Sequence, residues 1–129
     1  NTVSAVYKDK EGFVWFGTRN GLSRYDGRQI TNFEQSNSYP SISNLKEVFD
    51  GVLAFVDNGV FSAFDLKKER FLSVVSSSGQ GIPSRGMLQR NDSLVWVISG
   101  SELHLMKRCA SKEGELRLRV QEKYTGWNN

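Results

Sequence analysis

Three short apolar runs stand out along the chain, at residues 13–17 (FVWFG), 52–56 (VLAFV) and 94–98 (LVWVI). Each follows a short strand-like segment and a polar turn, and each is followed by a turn, an alternating segment, a second turn and a last apolar segment. Alternation with a period of two is the mark of strands, whose successive side chains point to opposite faces. The predicted strands are 3–7, 13–17, 22–25 and 30–33, then 42–49, 52–56, 60–64 and 71–75, then 87–89, 94–98, 103–106 and 116–121. The turns between them are polar, among them 9–12, 26–28, 50–51, 67–69 and 110–114. Asn20-Gly21 and Asn58-Gly59 each lie between two apolar runs, a pairing that predicts hairpins whose two turn residues accept positive φ.

The order of these signals repeats. Trp15 and Ala54 are 39 residues apart, and Ala54 and Trp96 are 42 apart. Four short antiparallel strands in about 40 residues make up one blade of a β-propeller. A β-sandwich has a similar strand count but gives no reason for turn chemistry to return at a fixed interval. The expected fold is therefore all-β, with about three propeller blades at 1–38, 39–80 and 81–125 and the beginning of a further one at 126–129.

Composition narrows the function. The chain has 129 residues, and no apolar run approaches the roughly 18 residues a membrane-crossing helix needs. Twelve Gly against two Pro, with 12% aromatic residues, suit short strands and tight turns. The net charge of +3 is dispersed: five basic against four acidic side chains in 1–43, five against five in 44–85, and seven against five in 86–129. A nucleic-acid-binding face needs its cations clustered, so no nucleic-acid partner is expected, nor any contact with the membrane. One cysteine, Cys109, and one histidine, His104, exclude an internal disulfide and a Cys₂His₂ or Cys₄ zinc site. Cys109 is expected to be an unreactive strand thiol. The chain opens on Asn-Thr-Val without Met or an apolar leader, and is expected to be a piece of a longer protein.

Residues 3–33 carry a more specific pattern. Asp9 and Gly12 form an Asp-x-x-Gly turn; Trp15, Gly17 and Thr18 form an apolar-Trp-apolar-Gly-Thr strand; Gly21-Leu22 and Tyr25-Asp26-Gly27 follow. This pattern closely resembles the two-component regulator propeller repeat. The second and third stretches look like degenerate copies, with Ala54 in place of the Trp, no Gly-Thr pair in either, and Trp96 retained in the third. The segments at 39–42 (YPSI), 81–84 (GIPS) and 126–129 (GWNN) resemble the lead-in that opens each blade of the family.

The resemblance implies a piece of a seven-bladed periplasmic propeller in a hybrid two-component sensor of Bacteroides-type bacteria. There a membrane helix and a histidine kinase follow, and the usual signal is an oligosaccharide. It thus implies a non-catalytic ligand-sensing module without cofactor or metal. Its partners would be the oligosaccharide, the remaining blades or a second copy of the chain, the last because three blades leave open faces that favour a homo-oligomer. The competing expectation is an interaction or dimerisation scaffold with no small-molecule ligand.

Candidate residues follow from this placement. Trp15 and Trp96 are expected to pack between neighbouring blades, and Trp127, in a lead-in, is the better candidate for stacking on a sugar. Gly17, Thr18, Gly21, Leu22 and Gly27 are expected to meet the demands of the repeat's backbone and packing. In such propellers the ligand face is made by the turns between second and third strands and by the links between blades. Here that face would hold Arg19, Asn20, Asp57, Asn58, Ser99 and Ser101, with Tyr39 and Arg85 from the links. Amide, guanidinium, carboxylate and phenol groups offer the mixed donors and acceptors that sugar hydroxyls need.

No catalytic site is expected. His104 alternates with Glu102 on one strand face and is read as a surface pair. No nucleophile elbow is present, Gly17 to Gly21 lacks the Lys-Ser/Thr end of a phosphate loop, and the turn at Asp9 lacks the spaced oxygen ligands of a calcium loop.

Overall fold

The computed structural model describes residues 2–35 and 40–126. Among them are twelve strands and no helix, in three successive sets of four. Blade 1 contains β1 (Ala5–Lys8), β2 (Val14–Thr18), β3 (Gly21–Tyr25) and β4 (Ile30–Glu34), blade 2 contains β5 (Ile42–Val48), β6 (Val52–Asp57), β7 (Val60–Asp65) and β8 (Arg70–Ser76), and blade 3 contains β9 (Gly86–Gln89), β10 (Leu94–Ser99), β11 (Glu102–Cys109) and β12 (Glu115–Tyr124). Within each blade, neighbouring strands pair antiparallel in sequence order.

One pairing crosses between blades. The outer strands β8 and β12 run parallel, with Glu115 opposite Ser73 and Leu118 opposite Ser76. Blades 2 and 3 therefore form a continuous sheet of eight strands, while blade 1 remains a sheet of four. Leu72 and Val74 of β8 and Leu116 and Leu118 of β12 reach one core from both sides of this junction. Arg117 ties it further, its Nη1 donating to the carbonyls of Ser76 and Ser77 at 3.2 and 3.1 Å. The sequence pattern marks β8 and β12 as strands but contains no sign that they meet.

Two cores lie between the three blades. Trp15, Leu22 and Phe33 of blade 1 pack against Ile42, Leu53, Phe55 and Phe64 of blade 2. On the opposite face of blade 2, Ala54, Val56 and Phe61 pack against Val95, Val97 and Met106 of blade 3. Every side chain of β6 is buried, because this middle blade is covered on both faces. Strand alternation alone would have left one face wet.

The interface between blades 1 and 2 explains several repeat residues. Trp15 is 1% exposed, with its ring centroid 5.6 Å from Phe33 in its own blade and 5.4 Å from Phe64 in the next. Arg24, opposite Trp15 in the ladder, lies 5.3–5.5 Å from the rings of Phe13, Trp15 and Phe33 and pairs with Glu69 of blade 2 at 2.6 Å. Gly17 has no room for a side chain: a Cβ there would sit 2.7 Å from Ile42 Cγ2.

The turns follow their sequence chemistry with one difference. Asn58 and Gly59 have φ of 53° and 80°, as expected of a two-residue hairpin turn with both residues left-handed. In blade 1 the ladder closes at Thr18 opposite Gly21, so the turn residues are Arg19 and Asn20, and neither has positive φ. Thr18 Oγ1 accepts the Asn20 amide at 3.1 Å and holds this alternative turn. Gly21 is then the first residue of β3, at φ 129°, where a Cβ would meet the Phe33 carbonyl at 2.5 Å.

Candidate functional site

The antiparallel order of each blade brings three things to one edge: the start of its first strand, the turn between its second and third strands, and the end of its fourth. Hydrogen bonds show the same convergence. The Ser4 amide donates to the Gly17 carbonyl at 2.9 Å, Gln35 to Asn20 at 3.3 Å, and Asn58 to Ser41 at 3.0 Å. At the next junction the Ser84 amide donates to Gly59 at 2.8 Å and Arg85 to Ile98 at 2.8 Å. Short links and hairpin turns thus lie side by side from blade 1 to blade 3.

Along this edge Arg19, Asn20, Asn58, Arg85 and Ser101 are exposed, and Ser99 is half-buried. Asp57 lies underneath, 5% exposed. Its Oδ1 accepts from the Ser41 amide at 2.9 Å and from Asn58 Nδ2 at 3.1 Å, and its Oδ2 accepts from Gln35 Nε2 at 3.1 Å. The carboxylate fastens the link between blades 1 and 2 to the turn of blade 2. Tyr39 and Trp127 lie outside the described residues.

A cleft of ≈ 350 Å³ opens beside Arg19, lined also by Thr2, Ser4, Thr18, Pro40 and Ser41. That volume falls within the range of small-molecule sites, about 300–1,000 Å³. Four hydroxyl-bearing residues and one arginine line it, with Thr18 Oγ1 accepting the Asn20 amide and Ser4 Oγ donating to the Gly17 carbonyl at 3.4 Å. Thr2, Ser4 and Ser41 were not among the sequence candidates. Ser41 lies in the lead-in beside Pro40, and Ser4 falls within the predicted strand 3–7.

The remaining candidates have structural partners. Asp9 Oδ1 accepts the amides of Glu11 at 2.9 Å and Phe13 at 3.0 Å, while its Oδ2 accepts the Trp15 indole N–H at 2.8 Å. The turn at Asp9 is thus a side-chain-capped hairpin. Asp26 Oδ1 likewise accepts the amides of Arg28 and Gln29, both at 2.9 Å, and these bonds hold its carboxyl below the usual value. His104 Nε2 lies 2.8 Å from Glu102 Oε1, the pairing expected from their spacing, but both residues are half-buried; this bond also lowers the Glu102 pKa. Cys109 is half-buried on β11. Among the described residues no group of three His, Cys, Asp or Glu side chains could hold a metal ion.

Residues 1–20 match the family model described as two component regulator propeller. The match covers 20 of the 129 residues, up to the turn between β2 and β3. A comparison with curated proteins finds no match. Among solved structures the chain is similar to the extracellular domain of a putative hybrid two component system from B. thetaiotaomicron, with TM-score 0.70 and 19% identity, covering 97% of this chain and 17% of that one. A second such extracellular domain from the same organism gives TM-score 0.64 and 17% identity, covering 96% of this chain and 19% of that one. Kluyveromyces lactis Hsv2 gives 0.66 and 14% identity, covering 97% of this chain and 48% of that one. The chain thus spans about a fifth of the bacterial extracellular domains it resembles. At these identities the likeness concerns the fold, a run of propeller blades.

Proposed function

We propose that these residues belong to the ligand-sensing propeller of a two-component-type sensor, on the periplasmic side of the membrane. They would take part in binding an oligosaccharide whose arrival is passed to a kinase. The family match at residues 1–20 supports the sensor reading, as do the extracytoplasmic bacterial domains that share the fold. The role is recognition without turnover.

The observation that carries the sugar reading is the cleft beside Arg19. Its lining combines Thr2, Ser4, Thr18 and Ser41 hydroxyls with a guanidinium, and Asn20 flanks it on the same turn. Asp57 acts from below by fixing the Ser41 amide and the Gln35 side chain. Asn58, Arg85 and Ser101 extend the same edge toward blade 3.

Calorimetric titration of the complete extracytoplasmic region with a panel of neutral and acidic oligosaccharides tests this. One class of glycan is expected to saturate, and Arg19→Ala to weaken it by about tenfold or more through loss of a charged hydrogen bond. A silent glycan panel, while another class of ligand saturates, overturns the oligosaccharide assignment.

A further inference from the structure

The edge opposite Arg19 has a cleft of its own. Antiparallel order brings to that edge the turns joining first to second and third to fourth strands, so Asp50 and Gly51 after β5, Lys67 after β7 and residues 111–114 after β11 lie together. Between blades 2 and 3 they surround a space of ≈ 400 Å³ whose lining comes from residues 50–72 and 108–115 alone. Both walls therefore belong to one internal junction.

Four cations and four acids line this cleft, but they do not balance one another. Every acid is engaged. Glu113 takes Lys68 Nζ and, at 2.9 Å, Arg70 Nη2. Glu115 takes Arg117 Nε at 3.1 Å, and this bond, more than the charge of Lys112, holds its carboxyl below the usual value. Asp65 Oδ1 accepts the amides of Lys67 and Lys68 at 2.9 and 3.1 Å, while Asp50 lies 3.4 Å from Lys67 Nζ and 3.7 Å from Lys10 Nζ. Lys10, Lys68 and Arg117 stand outside the lining, so their charges offset its acids and leave Arg108 and Lys112 in excess. Among the described residues neither of these two side chains has an ion pair or a hydrogen bond to another side chain.

Arg108 is nevertheless held in place. Its guanidinium lies over the Phe49 ring, 5.4 Å from the centroid. A cation in that position keeps the N–H donors in its plane available to a ligand. Phe49 itself is 2% exposed and has φ 52°, an uncommon conformation for an aromatic residue. Blade 3 maintains it: the Phe49 amide donates to Gln89 Oε1 at 2.5 Å, and the ring belongs to the core between the two blades. The ring that seats the guanidinium is thus fixed by the same junction that forms the cleft.

We infer that this cleft binds a tetrahedral oxyanion, a phosphate or sulfate group taken up as the free ion or as the monoester of a small molecule. Two cations without carboxylates match a group that can carry two charges better than they match a carboxylate, which carries one. Arg108 supplies a planar fork of donors, Lys112 a point charge and Ser111 a hydroxyl beside them. The volume falls in the range of small-molecule sites, about 300–1,000 Å³, so the carrier of the group has room as well. The inference does not rest on the oligosaccharide reading, which concerns the Arg19 edge.

Calorimetric titration of the complete extracytoplasmic region with sodium phosphate, sodium sulfate and phenyl phosphate, each against sodium chloride of equal ionic strength, tests it. At least one of the three is expected to saturate. Arg108→Ala and Lys112→Ala should each weaken that binding by about tenfold or more, through loss of a charged contact, and Arg19→Ala should leave it unchanged. A free ion that binds as tightly as the ester identifies the bare group as the ligand; a tighter ester shows that the carrier fills the rest of the cleft, and either result sustains the inference. No saturation beyond chloride overturns it, as does an affinity that Lys112→Ala leaves untouched or that Arg19→Ala reduces. Circular dichroism checks the fold of the variants. If Arg108→Ala has unfolded through loss of its contact with Phe49, Lys112→Ala decides alone, because that side chain holds nothing else in place.

Discussion

The Trp15 indole donates its N–H to Asp9 Oδ2 at 2.8 Å, while the other oxygen of the same carboxylate closes the turn between β1 and β2. One side chain thereby couples a local turn to the aromatic cluster between blades 1 and 2. This coupling explains why an acid begins the Asp-x-x-Gly turn six residues before the Trp. In this orientation the ring centroid lies 5.4 Å from that of Phe64 in the next blade.

Replacing Asp9 with Ala removes three hydrogen bonds at once. With a net value of about 1 kcal/mol for each, the loss in unfolding free energy is expected to be about 2–3 kcal/mol. Asn at this position keeps one oxygen acceptor for the turn and loses less. Urea unfolding followed by Trp fluorescence measures both.

Gly17→Ala is expected to cost about 1–3 kcal/mol, because its Cβ would meet Ile42 Cγ2 and Cβ at 2.7 and 2.8 Å across the junction. The backbone here is ordinary for an L-residue, so the penalty is one of space. Shortening the opposing side chain tests the cause: Ile42→Ala in the Gly17→Ala background should cost less than Ile42→Ala in the native chain. A double-mutant cycle reads the coupling.

Arg24 and Glu69 form an ion pair across the first junction, but the two ends are unequal. The Arg24 side chain is 18% exposed and lies near three rings, whereas Glu69 is 48% exposed. Arg24→Met keeps the apolar stem and removes both the cation over the rings and the pair, with an expected loss of about 1–2 kcal/mol. Glu69→Gln removes only the solvent-screened partner and should cost under about 1 kcal/mol. Thermal unfolding of the two variants shows the order.

Asp26 gives a pH dependence with a defined sign. Backbone amides of Gln29 and then Arg28 stabilise its charged form, so its pKa is lower in the folded chain than in the unfolded one. The contribution is complete above the unfolded value and disappears as pH falls through the folded value. In Asp26→Asn, stability should vary less steeply with pH at the acid end, with the turn geometry kept. Unfolding measured from neutral pH downwards, alongside an NMR titration of the Arg28 and Gln29 amides, checks this.

The sequence by itself determined the strands, their fours and most turns, because alternation, Asx-type caps and left-handed Gly positions depend on a few adjacent residues. Trp15 as an inter-blade residue was also legible, from its place in the repeat. The tertiary structure decided what depends on partners far along the chain. It moved the first hairpin turn one residue back from Asn20-Gly21, since the Gly21 backbone must lie against Phe33 and Thr18 can cap the turn at Arg19-Asn20. It turned Asp57 inward to fasten a link, and it joined β8 to β12, whose apolar residues fill one core. Hydrogen-bonding capacity and apolarity are written in the residues themselves. Which groups satisfy them is set by the approach of segments tens of residues apart, and local pattern carries no record of that approach.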